Sequence, residues 1–273
     1  MSAAEIYDLP QFCDELEQLV VKGTDRENFL PEAENLLKNL LPNKQFICQI
    51  MDKFITEDDY VRERIGTIDR HDLSIFLSPK GSFSIRLFVW LPGRQYPIHD
   101  HGAWGIVGGI ANRTQEIRYN RLDDGTVKDY ARLEETDRNI LNPDKTINLL
   151  PYSIHHMSSN DSETSLTLHV YGKPVRKGFI QCFNIADNSI GILPTPRLDK
   201  RLHAIKALAA IGGDTAVTYL EKAFQDKQPL IRWNCIETMK DIDHERHIDL
   251  LKKALNDSDE DLRGKVKSEL QKI

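Results

Sequence analysis

Apolar positions recur with two different periods along this chain, and the change of period divides it. Around residues 9–22 and 32–41 they lie three and four apart, which predicts amphipathic helices. From residue 83 onward, runs rich in β-branched and aromatic side chains alternate with Gly, Pro, Asn and Asp, which predicts short strands. After residues 193–196 the helical period returns, and the two prolines there predict an extended linker. We therefore expect a β-rich domain with a helical N-terminal segment over 1–196 and an all-α domain over 197–273.

The last quarter of the chain repeats itself with an offset of 31 residues. Arginine recurs at this interval, at Arg201, Arg232 and Arg263, and eight further pairs of positions, most of them apolar, keep the same offset. The pattern resembles short HEAT-like repeats, in which helix pairs bury their apolar faces against neighbouring copies. We expect this domain either to pack or self-associate, or to dock a protein partner.

Two histidine clusters carry the candidate chemistry of the β-rich domain. His99 and His101 lie in a strand-like segment, and because side chains alternate along a strand they share one face. Further along the chain, His155 and His156 fall in a second short strand. Neutral imidazoles bind iron, zinc, copper and nickel. Three of these histidines could therefore converge on one metal ion.

A third segment, residues 166–172, alternates cleanly and predicts a strand with Thr167, His169 and Tyr171 on one face. Gly93, separated by five residues from His99-x-His101, and the Pro-x-Ser-x-His segment at 151–155 resemble the two cupin motifs. Within the cupins, Pro-Ile-His-Asp-His-Gly-Ala-Trp-Gly at 97–105, Ile-His-His-Met at 154–157 and the His-Val-Tyr-Gly end of this strand resemble the thiol dioxygenases, namely cysteine dioxygenase and, more closely, its bacterial 3-mercaptopropionate-type relatives. The usual glutamate of the first cupin motif is missing. The resemblance covers about residues 1–196 and implies an all-β cupin barrel, a double-stranded β-helix, next to the helical N-terminal segment.

The resemblance also implies a ferrous ion held by His99, His101 and His155. The general cupin spacing would select His156 as the third ligand, whereas the pattern Ile-His-x-apolar selects His155. We prefer His155, because Met157 then shares its inward face. The implied reaction oxidises a small thiol with O2 to its sulfinate.

Around that ion, the resemblance implies a hydrogen-bonded row of Thr167, His169 and Tyr171, where the family usually has Ser-x-His-x-Tyr. Tyr171 and His169 are expected to act on the bound substrate or oxygen. Arg62 resembles by position the arginine that cysteine dioxygenase offers to the substrate carboxylate, and a bidentate guanidinium pair would set orientation as well as charge. The alternative for Arg62 is a surface arginine in a charged turn.

Composition is consistent with an intracellular enzyme. The chain has 273 residues, of which 40% are hydrophobic, enough for two cores. Its four cysteines are scattered, which predicts free thiols in a reducing compartment. Residues 1–6 lack a basic region followed by an apolar run, and no stretch approaches a membrane span, so we expect a cytoplasmic protein. The net charge of −6 argues against a general nucleic-acid binder.

We therefore predict an iron-dependent, cysteine dioxygenase-like enzyme, with residues 197–273 as a region of self-association or protein docking. The alternative is a non-enzymatic cupin that senses a metal or ligand and transmits its state to a partner through the helical repeats. A cupin of different chemistry on zinc, nickel or manganese is a third hypothesis. The sequence does not distinguish between thiol substrates, because chelation by an amine and by a carboxylate both fit a site of three histidines.

Overall fold

The computed structural model describes residues 7–64, 72–176 and 178–273. The chain forms two compact units, Met1–Thr195 and Pro196–Ile273. Residues 1–6, on which the prediction of a missing leader segment depends, lie outside the described residues. Among the described helices, none combines the length and the apolar character needed to cross a membrane.

The first unit begins with helices, as the apolar spacing predicts. Asp8 caps the first helix by accepting a hydrogen bond from the backbone N–H of Gln11 at 2.9 Å. The second helix begins three residues before the predicted start, with Pro31 in its first turn, where a missing N–H costs little. Two further helices were not apparent from the sequence. The four helices are α1 (Leu9–Lys22), α2 (Phe29–Leu40), α3 (Gln45–Thr56) and α4 (Asp58–Arg64).

Eleven strands follow in the described part of this unit. They are β1 (Asp72–Leu77), β2 (Phe83–Trp90), β3 (Ile98–Asp100), β4 (Gly105–Ala111), β5 (Thr114–Arg121), β6 (Leu133–Leu141), β7 (Thr146–Leu149), β8 (Ile154–Ser159), β9 (Ser165–Gly172), β10 (Phe179–Asn184) and β11 (Ser189–Pro194). They form a five-stranded sheet in the order β1-β2-β9-β4-β7 and a six-stranded sheet in the order β11-β10-β3-β8-β5-β6.

The strand pairing identifies the fold. The strands pair in nested fashion, β5 with β6, β4 with β7, β3 with β8 and β2 with β9, and every pair is antiparallel. Successive pairs alternate between the two sheets. This is one long antiparallel ribbon wound between two sheets, which is the double-stranded β-helix of jelly rolls and cupins. The predicted cupin barrel with a helical N-terminal segment is confirmed.

Period-two alternation along β2 gives the five-stranded sheet two different faces. Phe83, Ile85 and Leu87 are buried in the cluster that packs against α1 and α2. Phe88 and Trp90 join a second cluster, which also contains Met157 from the opposite sheet. The interior of the barrel is therefore lined by the second face, and full burial of each large side chain there contributes about 1.5–3 kcal/mol.

The second unit consists of helix pairs, as the repeat predicts. Its helices are α5 (Pro196–Ile211), α6 (Gly213–Ala223), α7 (Pro229–Ile242), α8 (His244–Ala254) and α9 (Glu260–Leu270). Asp243 and Asp259 cap α8 and α9 through their side chains, which explains acidic residues in the turns.

The offset of 31 residues places the same ion pair in successive copies. Arg201 pairs with Asp226, and Arg232 pairs with Asp257 through two hydrogen bonds of 2.5 and 2.7 Å. Arg232 also donates to the backbone carbonyl of Asp226. Each arginine therefore ties the start of one helix pair to its end, and Arg232 links neighbouring copies as well.

The predicted linker over residues 193–196 is wrong in extent. Strand β11 runs to Pro194 and helix α5 begins at Pro196, so Thr195 is the residue between them. Both prolines fit regular elements here. An edge strand such as β11 does not need every N–H, and the first position of a helix has no intrahelical partner for its N–H.

Candidate metal centre

Three histidines converge inside the barrel. His99 on β3 lies directly opposite His155 on β8 in the strand register, and His101 follows immediately after β3. The Nε2 atoms of His99 and His101 are 3.0 Å apart, and those of His101 and His155 are 3.1 Å apart. The three histidines each offer one ring nitrogen, and these atoms lie within 4.8 Å of one another.

The outer nitrogen of two of these rings is already occupied. His99 Nδ1 lies 2.8 Å from the carbonyl oxygen of Pro97, and His155 Nδ1 lies 3.1 Å from Glu116 Oε1. A carbonyl and a carboxylate only accept, so both rings carry their proton on Nδ1 and direct the Nε2 lone pair inward. Burial, and after it the neighbouring histidines, hold the pKa of His99 and of His101 well below the usual value.

This arrangement fits a metal ion. His99 and His155 both direct an Nε2 lone pair at His101 Nε2, 3.0 and 3.1 Å away, which can donate to only one of them at a time, whereas a cation between the rings would bind one nitrogen of each. The histidine cluster could bind such an ion.

Glu116 is a part of the site that the sequence analysis missed. Strand β5 pairs with β8 so that Glu116 lies opposite Met157 on the inner face, and its side chain is fully buried. Its carboxylate accepts hydrogen bonds from His155, from Arg118 Nε at 3.0 Å and from Asn139 Nδ2 at 2.9 Å. Burial alone would raise the pKa of Glu116, but these partners outweigh it and bring that pKa below its ordinary value. The carboxylate therefore orients the His155 ring.

The row on β9 has the arrangement that the alternation predicts. Thr167 Oγ1 lies 2.7 Å from His169 Nε2, and His169 Nδ1 lies 2.7 Å from the Tyr171 hydroxyl. The Tyr171 ring lies against the His101 ring, with centroids 4.3 Å apart. Gly105 leaves room for that ring, because a Cβ atom there would lie 3.0 Å from it. The hydroxyl row thus runs along the barrel wall to the histidine cluster.

The second histidine of the pair on β8 takes no part in the cluster. His156 shares the opposite strand face with Ile154, which packs with Ala131 and Phe183. His155 and Met157 face inward and are 0% and 1% exposed. The structure therefore brings His155, and not His156, to His99 and His101.

Arg62 is not brought to the site. It lies on α4, a helix without buried residues, and its side chain is 69% exposed. Its guanidinium pairs with Asp58 and Asp59 of the same helix. Arg62 is therefore a surface arginine in a charged segment, the alternative that the sequence left open, because the two carboxylates one turn away keep its side chain at the surface.

A different arginine lies within the barrel. Arg86 on β2 is the direct register partner of His169, so both side chains share the inner face. Arg86 Nη1 donates to Asp72 at 2.9 Å, while its Nε is buried and has no hydrogen-bond partner. Burial and the charge of His155 lower the pKa of His169, and the positive charge of Arg86 lowers it further. The alternation of β2, with Arg86 as its inward-facing cation, can be seen in the sequence. The register that places Arg86 opposite His169 cannot.

The acidic residue between the first two histidines is not a ligand. Asp100 is buried and pairs with Arg176, which also donates to Gln181 on β10. Strand alternation separates Asp100 from His99 and His101, as the period predicts.

Comparison with known proteins supports the architecture of the second unit. A family model described as HEAT repeats matches residues 191–271. The helical repeat prediction is confirmed.

Solved cupin structures resemble parts of the first unit only distantly. A cupin 2 domain-containing protein from Halorhodospira halophila is 14% identical, with a TM-score of 0.32 over 44% of this chain and 73% of that chain. A cupin 2 conserved barrel domain protein from Salinispora arenicola is 17% identical, with a TM-score of 0.28 over 37% of this chain and 73% of that chain. The DMSP lyase DddQ from Ruegeria pomeroyi is 15% identical, with a TM-score of 0.29 over 38% of this chain. The match spans about half of the lyase, 47% of its chain. At these scores the likenesses add nothing on activity, and the cupin assignment depends on the strand pairing of this chain.

Proposed function

We propose that the barrel binds a ferrous ion through His99, His101 and His155 and oxidises a small thiol to its sulfinate with O2. In this reaction one thiol and one O2 give one sulfinic acid, and both oxygen atoms of O2 become bonded to sulfur. The observation that carries this proposal is the convergence of three Nε2 atoms beside a buried row of hydroxyl and imidazole groups that ends at Tyr171.

The charge of the donor set supports this chemistry. Three neutral imidazoles leave the full charge of a divalent ion uncompensated, which favours an anionic ligand such as a thiolate. When bound, iron would supply a Lewis acid that lowers the pKa of the thiol and a redox centre at which thiol and O2 meet. The donor set also suits zinc and nickel, so iron is proposed here on the resemblance to thiol dioxygenases.

The Tyr171 hydroxyl lies at the end of the row nearest the histidine cluster. The hydroxyl oxygen lies 2.7 Å from His169 Nδ1, and the contact between the Tyr171 and His101 rings limits the movement of the side chain. A preorganised hydroxyl in a buried site stabilises developing negative charge more strongly than water does, because it needs no reorientation. We assign Tyr171 to hydrogen bonding with the reacting ligand, and Thr167 and His169 to holding it.

Arg86 is a better placed candidate than Arg62 for an acidic group on the substrate. It shares the inner barrel face with His169, whereas Arg62 pairs with acids of its own helix at the surface. Arg86→Lys keeps the charge but loses the planar fork. We expect a KM increase of about tenfold for thiols that carry a carboxylate and little change for thiols that carry an amine. Arg62→Gln is the matched control and should change neither value.

The decisive experiment is anaerobic loading of the full-length protein with Fe2+, followed by oxygen consumption and sulfinate detection on a panel of small thiols. A stoichiometric sulfinate yield would support the proposal. Tight iron binding with no oxygen uptake on any thiol would contradict it and favour the metal- or ligand-sensing alternative. Metal analysis of the protein as purified separates iron from zinc, nickel and manganese.

A further inference from the structure

The hydroxyl row has a fourth member on a different strand. The indole Nε1 of Trp90, on β2, lies 2.8 Å from Thr167 Oγ1. Trp90, Thr167 and His169 are 2%, 0% and 1% exposed, so water does not substitute for any partner. An indole N–H only donates, and Thr167 Oγ1 must therefore accept this bond.

That one bond decides the direction of the others. The Thr167 hydroxyl has a single proton, and among the described residues its polar partners are Trp90 and His169. If His169 donated to Thr167, the hydroxyl proton would be buried without an acceptor, which is strongly unfavourable. Thr167 therefore donates to His169 Nε2, and His169 carries its own proton on Nδ1.

The same reasoning reaches Tyr171. His169 Nδ1–H donates to the Tyr171 oxygen at 2.7 Å. The Tyr171 proton is then not used in the bond to His169. We propose that Trp90 is a positioning residue that sets the direction of the whole row, so that the Tyr171 oxygen accepts from His169 and the Tyr171 hydroxyl directs its own proton away from the row as a hydrogen-bond donor. The use of this donor in turnover rests on the proposed function, while the direction of the row does not.

The test is the tautomer of His169, measured by 15N NMR of the histidine rings in the full-length protein, metal-free and zinc-loaded. His99 and His155 provide internal references in the metal-free protein, because a carbonyl and a carboxylate hold both as Nδ1–H. We expect the Nδ1–H pattern for His169 in the wild-type protein. A wild-type His169 protonated on Nε2 overturns the inference, whatever any variant shows.

Variants test whether Trp90 causes the tautomer. Trp90→Phe should let the Thr167 hydroxyl turn, so that His169 populates both tautomers. Thr167→Val added to Trp90→Phe should return His169 to Nδ1–H, because a proton on Nε2 would then be buried without an acceptor. Thr167→Ser, which keeps the hydroxyl, should preserve the wild-type Nδ1–H form. Trp104→Phe removes a buried indole that packs against Phe29 and should leave the tautomer unchanged.

The outcomes separate this inference from the proposed function. A His169 that stays fully Nδ1–H in folded Trp90→Phe shows that Trp90 does not set the direction. If that variant does not fold, the wild-type measurement still decides, because a His169 protonated on Nε2 is incompatible with the direction argued from Trp90. The expected tautomers in a protein without thiol oxidation would leave the direction of the row intact and remove only the proposed reaction. In an active enzyme, Trp90→Phe should lower kcat by about tenfold with the iron affinity unchanged, because it acts through Tyr171 and not through the ligands.

Discussion

Replacing Glu116 by alanine removes the acceptor that orients one of the three metal-site histidines. In the folded protein its carboxylate accepts from His155, Arg118 and Asn139, and it is 0% exposed. Loss of a carboxylate that holds a ligating histidine typically weakens metal binding by about 10–100-fold, or about 1.4–2.7 kcal/mol. We expect Glu116→Ala to fall in this range, because His155 then has no acceptor at Nδ1 and its Nε2 is no longer held toward the cluster.

Glu116→Gln should lie between the wild-type protein and Glu116→Ala. Its amide oxygen can still accept from His155, but the amide NH2 then faces the donors of Arg118 and Asn139. In Glu116→Ala, by contrast, Arg118 is partly exposed and can turn to water, so most of the stability cost comes from the buried His155. One unsatisfied buried donor costs about 1–3 kcal/mol of unfolding free energy. The exposed Glu134 on β6 provides the control, and Glu134→Gln should change neither quantity.

The assay is an anaerobic competition titration of Fe2+ against a chromophoric chelator, with urea unfolding of the metal-free protein in parallel. The parallel measurement separates a loss of fold from a loss of metal affinity. A folded Glu116→Ala protein that binds Fe2+ as tightly as the wild type would refute the assignment of Glu116 as the residue that orients His155.

Four further predictions follow from the site and from the domain boundary. His155→Ala should empty the metal site while His156→Ala keeps most of the metal, as measured by metal analysis; the reverse would mean that the inward face of β8 is assigned wrongly. Tyr171→Phe should keep the metal and lower turnover of a verified thiol by about 10²-fold, and unchanged kinetics would exclude the hydroxyl from the reaction. Burial first, and then nearby positive charge, lowers the pKa of His169 well below its usual value, so below about pH 6.5 the unfolded chain takes up a proton that the folded protein does not. The metal-free protein should therefore be most stable above that pH and lose about 1.4 kcal/mol per pH unit for each such histidine as the pH falls, whereas a flat urea-unfolding profile between about pH 7.5 and about 5.5 would contradict this. Truncation after Pro196 should leave a folded, metal-binding barrel and change the oligomeric state or partner binding, as measured by metal analysis and sedimentation; a soluble truncated protein without metal would show that the repeats help to build the site.

Much of the architecture follows from local periods that the sequence displays directly. The predicted helix over residues 9–22 coincides with α1, and the 31-residue offset corresponds to helix pairs that share an arginine–aspartate pair. The inward faces of β8 and β9 follow from the alternation of side chains, which is a property of the backbone. These features need no knowledge of which segments meet.

The site itself depends on which strands lie side by side. His155 reaches His99 because β3 pairs with β8, and Glu116 reaches His155 because β5 pairs with β8. The inward cation on β2 and the indole of Trp90 reach the hydroxyl row in the same way, through the register of β2 with β9. None of these partners is near in sequence, and a slip of one residue would turn each side chain to the other face of its sheet.

The sequence by itself determined helix α1, the helical repeat and the face on which the candidate histidines and the hydroxyl row lie, because backbone geometry repeats every two residues in strands and every 3.6 in helices. Only the tertiary structure decided that Arg62 stays at the surface while Arg86 faces the barrel interior, and that a carboxylate stands behind His155. Strand register is set by burial summed over two whole sheets, and no single segment contains that information.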